Sequence, residues 1–92
     1  MRFHAARNYA HYCMQKGETI ISPIAYGHQF ATNYGARIDW KFWWALSERL
    51  ILSSTELRIL TLDGWQRSFG IAQERKLAEN HGIPVTFAEP MR

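Results

Sequence analysis

Residues 57–74, LRILTLDGWQRSFGIAQE, spell out a strand, a turn and the start of a helix. The apolar run Leu57–Leu62 has the length of a strand and stops at Asp63-Gly64, a common turn pair. Ser68 suits the N-cap of a helix over residues 68–81, and Gly82 suits the C′ position that closes it. Glu74 breaks the pattern of that helix. With Ile71 as origin and about 100° per residue, Leu77 falls at about 240°, Ala78 at about 340° and Glu74 at about 300°, between them. One reading is a carboxylate in the first half of a helix, favoured by the macrodipole. Against it, neither residue 77 nor 78 is basic, and Gly70 and Ile71 one turn earlier offer no ionic partner. A carboxylate on an apolar helical face near the C-terminal edge of a strand points to chemistry more than to solubility.

Outward from this segment, residues 2–16 read as a helix. Phe3, Ala6, Ala10, Cys13 and Met14 recur at helical spacing, and Gly17 fits its C′ position. Glu18–Ser22 reads as a short β-branched strand closed by Pro23. Residues 23–38, with Tyr26, Gly27, His28 and Gly35, read as a long connection of the kind that carries function. Asp39 suits the N-cap of a middle helix running to about Ser53. Trp40, Trp43, Trp44, Leu50 and Ile51 form its apolar face, with Ser47 in the middle. Pro84–Ala88 is the last strand, and residues 89–92 a tail. The alternation of helix and strand predicts an α/β fold with a parallel sheet and right-handed crossovers, in one domain over residues 1–92.

Composition narrows the function classes. In 92 residues the formal charge is +3, with the basic residues scattered rather than blocked, so nucleic acid is a disfavoured partner. Cys13 is the sole cysteine, which excludes an intrachain disulfide or a cysteine-based metal site. His4, His11 and His81 lack metal-ligand company and read as surface residues. No run reaches the length of a membrane span and no signal peptide is visible, so a soluble, cytoplasmic protein without cofactor is expected.

Three groups of residues carry a resemblance. They are Ser22-Pro23-Ile24 followed by His28; Asp39-Trp40-Lys41-Phe42-Trp43; and Asp63-Gly64-Trp65 with Ser68, Gly70, Ala72 and Glu74, then Gly82-Ile83-Pro84-Val85. In order and spacing, over about residues 18–88, the chain resembles the small bacterial and phage domains related to nucleoside 2-deoxyribosyltransferase. The resemblance implies a Rossmann-like or flavodoxin-like parallel sheet in three α/β/α layers, with the site at its carboxyl edge. It implies Glu74 as the nucleophile toward the anomeric carbon of a nucleoside, through a glycosyl-enzyme ester. It gives Asp63 the task of positioning or protonating the departing base.

Other positions keep two readings each. Ser68 caps the helix beside a sugar or phosphate subsite, while Gly64 and Gly70 permit close approach. Trp65 either stacks on a base or packs over the sheet edge. His28 either contacts substrate or bonds within its loop. Two departures from the family stand out: the opening strand with its Leu-Ala-x-Pro-Tyr motif is absent, and Ser47 replaces an aspartate. The expected fold is therefore N-terminally truncated, and Asp39 and Ser47 belong to an altered substrate wall. The expected function is cleavage or transfer at a nucleoside or nucleotide N-glycosidic bond. The alternative is a non-catalytic nucleotide-binding or homo-oligomeric interaction module, with the Trp-rich helix and an open sheet edge as its contacts.

Overall fold

In the computed structural model, which describes residues 2–35 and 40–90, the elements run in a clear order. They are α1 (Arg2–Gln15), α2 (Pro23–Tyr34), α3 (Trp40–Leu52), β1 (Leu57–Leu60), a 3₁₀ turn (Trp65–Arg67), α4 (Phe69–Asn80) and β2 (Val85–Ala88). They fall into two units, one holding α1 and α2 and the other running from Trp40 to Glu89.

In the first unit, α1 packs against α2. Gly17 ends α1 in a left-handed conformation (φ 84°). The Gly17 N–H donates to Met14 C=O at 3.0 Å and the Glu18 N–H to Cys13 C=O at 3.1 Å, a Schellman pair that satisfies the last carbonyls. Cys13 is fully buried, a small apolar residue on the inner stripe with Ala10.

The next segment corrects the sequence reading twice. Glu18–Ser22 is not a strand, and residues 23–34 are not a loop but α2. The β-branched run finds no strand to pair with, and β propensity without a partner ladder does not make a strand. Ser22-Pro23 is a helix start instead. The Ala25 N–H donates to Ser22 Oγ at 3.3 Å, the Tyr26 N–H donates to Ser22 C=O at 2.9 Å, and Pro23 occupies the first helical position. Gly27, unfavourable in a helix interior by propensity, is buried there. The proposed Asp39 cap lies outside the described residues.

In the second unit, β1 and β2 form a two-stranded parallel sheet with Leu57↔Val85, Arg58↔Thr86, Ile59↔Phe87 and Leu60↔Ala88 in register. The ladder runs past both strand ends, since the Leu57 N–H donates to Pro84 C=O at 2.9 Å and the Thr61 N–H to Ala88 C=O at 2.8 Å. Two parallel strands cannot be joined by a hairpin, and α4 provides the crossover. The class is therefore α/β with parallel pairing. Ile51 of α3, Ile59 of β1 and Ala78 of α4 are its buried apolar residues.

Helices α3 and α4 pack on each other through their first turns. The Trp40 ring stacks on Trp44 (5.4 Å, 19°) and meets Phe69 edge-on (5.1 Å, 64°). Gly70 permits this approach, because a Cβ there would lie 3.4 Å from Trp40 Cζ3. Helix α4 closes like α1. The Gly82 N–H donates to Glu79 C=O at 3.3 Å and the Ile83 N–H to Ala78 C=O at 2.8 Å. His81 Nδ1 adds a bond to Leu77 C=O at 3.0 Å. No described helix is long and apolar enough to cross a membrane.

At Gly82 (φ 70°) nothing lies within 4 Å of a would-be Cβ, so a side chain there meets only backbone strain. Gly82→Ala is expected to lower unfolding free energy by about 1–2 kcal/mol in urea titration, and Gly82→Asn by less. Equal stability of Gly82→Ala and the parent would contradict the left-handed cap.

Candidate functional site

The turn after β1 is built from local bonds. The Trp65 N–H donates to Leu62 C=O at 3.0 Å, and Gly64 (φ 84°, ψ 6°) takes the left-handed third position that such a turn requires. The Arg67 N–H then donates to Gly64 C=O at 3.0 Å, giving the 3₁₀ turn that delivers Ser68 to the start of α4. Ser68 is the N-cap, with its Oγ accepting from the Ile71 N–H at 3.2 Å. Turn and cap together fix the rotation of α4, and so the direction in which each of its side chains points.

That rotation places Glu74 inward. Gly70, Ile71, Leu77 and Ala78, the residues three and four positions away, are all buried or half-buried, and Ala78 is wholly so. Ala72, Arg75, Lys76 and Glu79, on the other side, are exposed. Glu74 is itself half-buried and makes no hydrogen bond or ion pair among the described residues. Burial pushes its carboxyl from the ordinary 4.5 up to about 7. A carboxyl kept near half-ionisation at neutral pH can act as a nucleophile, or as an acid and base.

The other expected site residues distribute unevenly. Asp63, Gly64, Trp65, Ser68, Gly70 and Glu74 lie on one continuous strand–turn–helix segment. Ser47 is buried (6% exposed) at the middle of the inward face of α3, the helix that packs on α4. Asp63 is exposed at the turn and no hydrogen bond links it to Glu74. The Trp65 ring lies against Phe87 (5.3 Å, 50°), over the edge of the sheet. His28 belongs to α2 in the other unit, and Asp39 lies outside the described residues.

An open groove of about 220 Å³ runs along α4, lined by Trp65, Ser68, Ile71, Arg75, Lys76 and Glu79 among others. Its helical residues centre about 130° from Glu74 around the helix, with Ile71 only about 60° away, so the groove opens on a different side of α4 from the half-buried carboxyl and Ile71 lies between the two. Arg75 holds this side together, with Nε 3.5 Å from Glu79 and the guanidinium 5.2 Å from the Phe87 ring centre. Of the groove residues, Trp65 and Ser68 are among the expected site residues, whereas Arg75, Lys76 and Glu79 are not. Only the Arg75–Glu79 spacing of one helical turn hinted at a pair. Among the described residues no three of His, Cys, Asp and Glu gather closely enough to hold a metal ion.

The raised Glu74 pKa has a consequence for stability. Between about 4.5 and about 7 the folded state binds more protons than the unfolded one, so stability falls as pH rises through that window. The full loss is on the order of 3 kcal/mol. Glu74→Gln is expected to match the parent at pH 4 and to exceed it by up to that amount at pH 8, read by thermal melting at both pH values. Parallel stability profiles for the two proteins would rule out a desolvated carboxyl.

No curated protein sequence and no solved structure matches this chain. One family does match, over residues 1–89 of 92. The chain belongs to the family described as Domain of unknown function (DUF1937).

Proposed function

We propose that this chain cleaves or transfers the N-glycosidic bond of a nucleoside or nucleotide, with Glu74 attacking the anomeric carbon. The observation that carries this reading is the carboxyl of Glu74, without a hydrogen-bond or ion-pair partner among the described residues, on the inward arc of α4 and raised to about 7 by burial. Two further features support it: the parallel β1–α4–β2 unit and the likeness of its turn and helix start to deoxyribosyltransferase-related domains. The same reading carries a Rossmann-like sheet in three layers.

The chemistry balances with two partners. A Glu74 carboxylate oxygen forms an ester to the anomeric carbon as the carbon–nitrogen bond breaks. The bonding electron pair leaves with the base, which gains a proton, a role that falls to Asp63 in the turn between β1 and α4. Water or a second base, giving its proton back to Asp63, then attacks the anomeric carbon from the face opposite Glu74 as the carbon–oxygen bond of the ester breaks, restoring the carboxylate with net retention. A nucleophile must be ionised. With a pKa of about 7, kcat/KM therefore rises with pH through neutrality and flattens above it.

The test is incubation with deoxynucleosides and free bases, following base release and exchange by chromatography. Glu74→Gln is expected to lose on the order of 10³-fold or more in rate, and a glycosyl adduct on Glu74 to appear in the parent by mass spectrometry. Turnover that persists unchanged in the variant would sink the mechanism.

A second reading, a non-catalytic nucleotide-binding module, draws on the groove by Trp65, Arg75 and Lys76 on a different side of α4. It predicts nucleotide binding that survives Glu74→Gln and is lost in Lys76→Ala, by calorimetry.

A further inference from the structure

The register of the parallel pair decides which backbone groups of β2 face away from β1. Leu57 N–H takes Pro84 C=O and Thr61 N–H takes Ala88 C=O, so alternation turns the N–H and C=O of Val85 and Phe87 outward. No described residue takes those groups. The side chains guard this edge no better. Val85-Thr86-Phe87-Ala88 holds no charge, no proline and no bulge, whereas β1 carries Arg58. Phe87 is 47% exposed. Pro84 and Pro90 flank the strand in the register that faces β1, so neither removes an outward-facing N–H.

We infer that the outer edge of β2 pairs antiparallel with β2 of a second copy of this chain. The observations favour a second copy because the edge is complementary to itself. A two-fold axis at Thr86 sets Val85 opposite Phe87 of the other copy, and Phe87 opposite its Val85. The four outward groups then exchange in two doubly bonded pairs, with Thr86 facing Thr86 between them. On one face this pairs an aromatic with a β-branched residue, and on the other two threonines, both favourable cross-strand pairs. The four residues of the edge carry no charge themselves, and the Arg75 guanidinium that lies over the Phe87 ring is paired with Glu79. Glu56 accepts from the Thr86 hydroxyl and is already paired with Arg58 at 3.2 Å. The result is one four-stranded sheet about a two-fold axis, with β1 of each copy at its rims. The contact is small, so the dimer is a concentration-dependent one. It stands independently of the catalytic reading.

A cysteine experiment tests the register. Facing residues at a non-hydrogen-bonded antiparallel pair are close enough for a disulfide. Cys13 is fully buried and contributes no background. Under mild oxidation, Thr86→Cys is expected to form a covalent dimer at least about tenfold faster than Glu89→Cys or Val85→Cys, whose counterparts across the axis are not cysteine. Equal rates for the three variants would overturn the pairing. Independently, sedimentation of the parent chain is expected to show a monomer–dimer equilibrium that Val85→Pro abolishes, because proline there removes an outward N–H and no bond to β1. A parent that stays monomeric at millimolar concentration, or a dimer indifferent to Val85→Pro, would also overturn it.

Discussion

The parallel pairing of β1 with β2 is the constraint on which the second unit depends. Parallel strands need a crossover, and α4 is that crossover, so its inward face is set by the sheet it must return to. The turn at Asp63-Gly64 and the Ser68 cap then determine the angle at which the helix begins. A carboxylate at position 74 is buried by that geometry rather than by its own preference. The raised pKa is the chemical trace of a helix obliged to present the same side throughout its length.

The packing of α3 on α4 follows from the same rotation. The first turn of α4 presents Gly70 where the Trp40 ring needs room, and the Trp40–Trp44 stack covers the start of the helix. A different side of α4 is left to Arg75, Lys76 and Glu79, with Trp65 and Phe87 alongside. Helix α4 thus separates two chemical environments. One holds a carboxyl that is hard to ionise, and the other an open, cationic and aromatic groove. The two are separated by roughly a third of a turn around the helix, with Ile71 between them.

What proved legible in the sequence is instructive by kind. Gly17, Ser68 and Gly82 were readable as caps because a cap is satisfied by bonds among a few neighbouring residues. The side of α4 that bears Glu74 was readable because helical period depends on one chain segment alone. Ser22-Pro23 misled: the β-branched residues before it match a strand pattern, while the dipeptide itself starts a helix. Neighbouring signals conflicted there, and only the absence of a partner ladder resolves them.

From its sequence alone, the chain determined where α1 and α4 end, where α4 begins, and that Glu74 lies among apolar residues. Each of these rests on interactions within one turn or one helix. Tertiary structure decided the rest: which extended segments are strands, which strand edge stays open, that Asp63 is exposed, and that the groove opens on a different side of α4 from Glu74. Those outcomes depend on pairing and burial between segments distant along the chain. A residue's own neighbours in sequence do not specify its partners in space.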